Sequence, residues 1–243
     1  MSAFPTHALS RTNVYDAHAG LQAVLWDMDG TIVDTEPYWI AAEKELVASH
    51  GGHWSDEDAQ RLVGQALPTS AAVLREAGVD LEIREIIDEL TARVVAGLRS
   101  RTTFRPGARE LLADLRGHGV PCALVTMSEG PLARLVAESL PEGTFEFLVT
   151  GDMVATGKPD PAPYHLAFET MSGLVGGLER HRVVAIEDSV PGVRSAVASG
   201  IPTIAVPHYS QLPADGQWTI WPTLQGTTAD QLDGLVRAGG AAR

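Results

Sequence analysis

The sequence predicts an α/β chain: a Rossmann-like parallel sheet with helices on both faces, plus an inserted all-α cap. Three observations carry that expectation. Short apolar runs with no polar alternation have the pattern of strands buried on both faces. They alternate with helical patterns, and strand–helix–strand succession argues for parallel pairing with helices on each side. One long stretch, residues 36–104, breaks the rhythm and carries helical patterns only.

The strand-like runs are 23–26, 122–125, 183–186 and 203–206, with a weaker one at 147–150 and an edge candidate at 218–221. A helix is predicted over 108–116, which follows Pro106-Gly107 and stops at Gly117. The segments 132–140, 163–171 and 193–199 read the same way, the last closed by Gly200. Inside 36–104 the helical patterns are 38–49, 56–63, 70–77 and 81–98, punctuated by Gly51-Gly52, Gly64 with Pro68, and Gly78. A helical insertion between two strands of one sheet must bring its ends together, so it is expected to cap the sheet edge. The expected organisation is a loose N-terminal tail at 1–20, a core made of 21–35 and 105–243, and a cap at 36–104. One short helix, 229–237, and a frayed end are expected after Leu224, and no internal repeat or low-complexity tract is present.

With 243 residues and 44% hydrophobic content, the chain can fill a full core with a smaller unit attached. Its formal charge of −13, from 18 basic and 31 acidic residues, argues against a nucleic-acid surface. A phosphate-bearing partner must then be held by a metal or a few placed cations. Cys122 is the single cysteine, which rules out an internal disulfide and fits a reducing compartment. No apolar stretch reaches the length of a membrane span, and the first twenty residues lack the apolar core of a secretion signal. A cytoplasmic protein is expected, with its oligomeric state open and a monomer compatible.

The most informative stretch is Asp27-Met28-Asp29-Gly30-Thr31, where the first strand ends on two carboxylates with one residue between them. At about 4 Å and an effective dielectric near 20, two like charges repel by roughly 4 kcal/mol. Such a pair implies a bound cation or a shared proton, although Asp and Gly also suit a surface turn. In a parallel sheet all strand C-termini meet on one edge, where ligands bind. Thr126, Met127 and Ser128 follow the second strand, Lys158 lies in the loop after the weaker strand, and Glu187-Asp188-Ser189 follow the fourth. Taken singly these have bland readings, as a helix cap, a solvated loop lysine and dipole-complementing charges. Their coincidence in chain order outweighs those readings.

That order resembles the haloacid dehalogenase-like hydrolase superfamily from about residue 22 to residue 206. Asp27-Met28-Asp29-Gly30-Thr31 matches its first motif, Thr126 its second, Lys158 in Gly-Lys-Pro its third, and Glu187-Asp188-Ser189 its fourth. The helical insertion looks like the cap of the subgroup containing sugar-phosphate phosphatases and β-phosphoglucomutases. The resemblance implies Asp27 as nucleophile and Asp29 as general acid and base, with Thr126, Met127 and Lys158 binding phosphate. It also implies Mg²⁺ held by Asp27, Asp29 through its backbone carbonyl, Glu187 and Asp188. The chemistry agrees: slow phosphate-ester hydrolysis demands charge stabilisation and a nucleophile, and a carboxylate serves as one. Lys158 is expected to act as a mobile point cation.

A near miss is instructive. Residues 151–158 look like a nucleotide-binding phosphate loop, but have one residue too many and Pro159 where Ser or Thr is needed. The eight histidines show no metal-site spacing. Trp39 and Trp54 are expected to pack in the cap, Trp39 being the better candidate for the cleft, and the turn 62–66 is expected to reach toward it. The leading function is a Mg²⁺-dependent phosphatase acting on a small phosphorylated metabolite, a sugar or polyol phosphate. The alternatives are a β-phosphoglucomutase-like phosphomutase, against which Trp39 stands at the position of a mutase histidine, and a non-catalytic binding protein on the same scaffold. Asp29 argues against a dehalogenase, since those relatives lack that aspartate.

Overall fold

In the computed structural model, β1 (Ala23–Trp26) lies at the centre of the sheet with every residue fully buried. The structure describes residues 20–63, 65–209, 211–214 and 216–240, so the expected tail lies outside it except for Gly20. The other strands are β2 (Cys122–Val125), β3 (Leu148–Val149), β4 (Val183–Glu187), β5 (Thr203–Ala205) and β6 (Thr219–Ile220). They form a parallel sheet in the order β3-β2-β1-β4-β5-β6. Every strand-like run in the sequence is a strand here. The weak run at 147–150 keeps only two paired residues, and the exposed β6 closes the edge.

This order contains a switch point. From β1 the chain moves through β2 to β3 on one side, then crosses back to place β4 on the other. Trp26 pairs in register with Leu124 of β2 and with Ile186 of β4, so three strands end side by side. A crevice opens there, outside the carboxyl ends of the strands.

The alternation of β1 divides the core. Val24 and Trp26 face one layer with α5 (Ala108–Gly117), α6 (Gly130–Glu138) and α9 (Ala229–Gly240). Ala23 and Leu25 face the other, against Tyr164, Ala167 and Met171 of α7 (Ala162–Val175) and Ala196 of α8 (Val190–Ala198). This is the two-sided burial that the unbroken apolar runs require.

The segment between β1 and β2 is helical, as expected: α1 (Glu36–Ser49), α2 (Asp56–Gln60), α3 (Leu67–Glu76) and α4 (Ile83–Ser100). Helix α4 buries Ile86, Ile87, Leu90, Val94 and Leu98 along one stripe against α1 and α3. Several helices begin earlier than the sequence patterns suggest. Pro37, Pro68, Pro131, Pro163 and Pro191 sit in first turns, where proline's missing N–H costs nothing; Pro68 opens α3 and does not break it. The two ends of the segment are tied together: Asp34 N–H donates to Thr103 O at 2.9 Å and Arg105 N–H to Ile32 O at 2.8 Å. Across the crevice, Arg84 of α4 grips Glu129 at the start of α6 with two hydrogen bonds of 2.7 and 2.8 Å, so the helical cap lies over the strand ends. Among the described residues no helix is long and apolar enough to cross a membrane.

Candidate active site

Asp27 is the first residue past β1, and its N–H still donates to Ile186 O of β4 at 3.0 Å. The sheet ladder therefore fixes its backbone at the switch point. Gly30 follows with φ +80°, a left-handed turn that favours glycine, and a Cβ there would overlap Asp188 Oδ2. Glu187 likewise packs against Gly192 so closely that no side chain fits at that position. Glycine thus lets the two carboxylates at the end of β4, Glu187 and Asp188, reach β1.

Lys158 is drawn into the same place. Its Nζ donates to Asp27 Oδ1 at 2.7 Å and to Val125 O at 2.8 Å, and lies 2.7 Å from Glu187 Oε1. The Tyr164 hydroxyl donates to that same glutamate oxygen at 2.6 Å. The sequence suggested a mobile cation; the structure has a buried, pinned one, because all three ammonium protons have fixed acceptors. Burial opposes its charge, but Asp27 and Glu187 outweigh that and keep Lys158 protonated beyond the ordinary lysine range.

Asp29 has a separate set of partners. Thr35 Oγ1 donates to its Oδ1 at 2.7 Å, and Trp39 Nε1 approaches the same oxygen at 3.5 Å. Thr126 Oγ1 and Ser128 Oγ donate to its Oδ2 at 3.0 and 2.8 Å. Two carboxylates two residues apart thus have different environments. The Thr126 hydroxyl is fully buried, bonded to Asp29 and accepting from Ser128 N–H, while Met127 and Ser128 line the cavity.

Asp27, Glu187 and Asp188 offer oxygen atoms that all lie within 4.8 Å of one another. Burial, then Glu187, pushes the Asp27 carboxyl up to about 7, with Lys158 opposing. Burial and Asp27 raise Asp188 well above the carboxylate range. Asp27 Oδ2 and Glu187 Oε2 are buried with no hydrogen-bond partner among the described residues. An all-oxygen donor set with excess negative charge and orphaned oxygens fits a hard divalent cation. Asp29's carboxylate is not in this trio.

A cavity of about 120 Å³ opens onto Asp27, Asp29, Lys158 and Asp188 from under the cap. Leu62, Val63, Gln65 and Ala66 line it, so the turn expected to reach the cleft does so. Trp39 lines it too, whereas Trp54 packs inside the cap and donates to Glu43 Oε2 at 3.1 Å. The sequence reading missed Glu36 and Glu43, which share the cavity wall with Trp39. Their spacing, i, i+3, i+7 along α1, puts all three on one helix face and was the available signal.

Burial lifts the Glu43 carboxyl from 4.5 to about 7, against the Trp54 hydrogen bond. Between those values the unfolded chain gives up its proton while the folded chain keeps it. Stability from this group is therefore complete at low pH and is lost as pH rises through about 7, by on the order of 3 kcal/mol at most. Glu43→Gln, which can keep the Trp54 bond, is expected to raise the melting temperature at about pH 8 and to leave it nearly unchanged at about pH 5. Thermal melts at the two pH values check this, and an equal shift at both would contradict it.

Residues 24–206 match the sequence profile of the family described as haloacid dehalogenase-like hydrolase. The "Phosphorylated carbohydrates phosphatase" of Thermotoga maritima is 32% identical over 192 residues, covering 76% of this chain and 84% of that protein. "Protein CbbY" of Cereibacter sphaeroides is 31% identical over 204 residues, covering 78% and 85%. The crystal structure of a point mutant of CbbY from Rhodobacter sphaeroides in complex with xylulose-(1,5)bisphosphate superposes with a TM-score of 0.79 at 26% identity, covering 88% of this chain and 99% of that one. Profile, relatives, and a parallel sheet carrying its carboxylates at the switch point agree: the chain belongs to the haloacid dehalogenase-like hydrolase family.

Proposed function

We propose that this chain is a Mg²⁺-dependent phosphatase that hydrolyses a small phosphorylated metabolite, of the sugar or polyol phosphate class, through an aspartyl-phosphate on Asp27. The observation that carries this reading is the unlike surroundings of the two aspartates: Asp27 faces Lys158 and the other carboxylates, Asp29 four side-chain donors. Phosphatases among the relatives support it. The core is taken as 21–35 and 105–243 and the cap as 36–104, a division supported by the hydrogen-bonded linkers at 32–34 and 103–105. The buried lone cysteine supports a reducing, cytoplasmic setting.

Asp27 attacks phosphorus with a carboxylate lone pair; the new O–P bond forms as the ester O–P bond breaks. Asp29 gives its proton to the departing alkoxide, then takes one from the water that attacks the phosphoryl group, freeing phosphate and restoring Asp27. Lys158 holds Asp27 in place and offsets charge on the transferring group; its equatorial oxygens are assigned to the Met127 N–H and to the Thr126 hydroxyl, which must turn its one proton away from Asp29 to reach them. Asp27, Glu187, Asp188 and the Asp29 backbone carbonyl would hold Mg²⁺, which when bound neutralises phosphoryl charge.

Release of inorganic phosphate from sugar and polyol phosphates, dependent on added Mg²⁺, tests the proposal. Conversion of β-glucose 1-phosphate to the 6-phosphate without net release would point to the mutase instead. Asp188→Ala is expected to raise the Mg²⁺ concentration for half-maximal activity by more than about tenfold; an unchanged Mg²⁺ titration would remove Asp188 from the ligand set.

A further inference from the structure

The cavity wall opposite the carboxylates has an unusual charge for an enzyme that receives an anion. Among its described residues the single cation is Lys158, and that ammonium is already shared by Asp27, Glu187 and Val125 O. The cap side presents Glu36 and Glu43 together with neutral polar groups on Gln65 and Ser70 and the indole of Trp39. Glu43 is 5% exposed and its carboxylate is held by Trp54 Nε1, so its position is set by the cap's own packing. No arginine or lysine of the cap lines the cavity among the described residues. The space, about 120 Å³, is below the roughly 300–1,000 Å³ of sites that enclose drug-sized ligands.

Building on the phosphatase reading, we propose that Glu36 and Glu43 are specificity-determining residues: they restrict this enzyme to small monophosphate esters whose alcohol portion bears hydroxyl groups and no second anion. Carboxyl and amide groups on that wall match hydroxyls, as donors or acceptors. A second phosphate or a carboxylate in the same place meets two acidic side chains and no counter-cation, inside a partly closed, weakly screened cavity. Burial raises both glutamates to about 7, Glu36 with added repulsion from Glu43, Asp29 and Asp34 and Glu43 against its Trp54 hydrogen bond, so each can give or take a hydrogen bond near neutrality. The family includes relatives named for phosphoglycolate, and one solved with a bisphosphate. On this reading the present chain accepts neither.

Matched pairs of substrates test this. Glycerol 3-phosphate differs from 3-phosphoglycerate in one terminal group, hydroxymethyl against carboxylate, and fructose 6-phosphate differs from fructose 1,6-bisphosphate in one phosphate. With p-nitrophenyl phosphate as a generic ester, kcat/KM with Mg²⁺ is expected to favour the neutral partner of each pair by at least about a hundredfold, about 2.7 kcal/mol. In the E36Q/E43Q variant that ratio is expected to fall by at least about tenfold, through a lower KM for the anionic partner. E36Q alone, on a partly exposed side chain, is expected to move it the same way if the double variant does not fold. Equal kcat/KM within the pairs, or a ratio untouched by the substitutions, would overturn the specificity assignment while leaving the phosphatase reading intact. Absence of phosphate release from every ester, including p-nitrophenyl phosphate, would overturn both.

Discussion

Asp27→Asn is expected to lower phosphate release by at least about a thousandfold while leaving the fold intact. The amide nitrogen or oxygen cannot form the acyl-phosphate bond, yet the side-chain shape is kept and Asn Oδ1 can still accept from Lys158 Nζ. Burial and the neighbouring Glu187 work against the charged form of Asp27. A neutral amide removes that repulsion, so the melting temperature should hold or rise in metal-free buffer. Assays of phosphate release beside thermal melts check both halves. Activity above a few per cent of the parent's would remove Asp27 as nucleophile, and a collapsed melt would mean that the loss reports on folding.

The second large effect is at Asp29. Asp29→Asn keeps a group that the Thr35, Thr126 and Ser128 hydroxyls can still bond by turning, but it can neither give nor take the transferred proton. Loss of a positioned acid and base costs about 10²–10⁴-fold. The loss should depend on the leaving group. Alkyl phosphates need protonation as they depart, whereas p-nitrophenolate leaves without it. The variant is therefore expected to release one equivalent of p-nitrophenol per enzyme in a burst and then stall, because water attack on the phosphoenzyme still lacks its base. Stopped-flow absorbance separates the steps. No burst, with equal losses for both substrate types, would show that Asp29 has a purely structural role.

Much of this site was legible in the sequence because its parts hang on strand ends. Asp27, Thr126 and Asp188 are placed by unbroken apolar runs, and such runs are read easily where both sheet faces are buried. The helical cap was legible by the absence of strand patterns between the first motif and Phe104. What escaped is the direction of side chains. Spacing puts Asp27 and Asp29 close together, but not Asp29 turned toward Thr35 and Ser128 while Asp27 meets Lys158. A loop lysine gives no sign that it will be buried, since its acceptors, Asp27, Glu187 and Val125, come from three different strands or strand ends. The Glu36–Trp39–Glu43 stripe had a readable period, but its face was hidden because burying acids on a helix contradicts the usual amphipathic rule.

Capture of the covalent intermediate tests the central claim most directly. The enzyme, mixed with excess substrate and Mg²⁺ and quenched in acid within the first turnovers, is digested and sequenced by mass spectrometry. A transient phosphoryl group on Asp27, absent in Asp27→Asn and decaying at the rate of phosphate release, is the expected result. Turnover at full rate with no phosphate on Asp27 at any time would contradict the account.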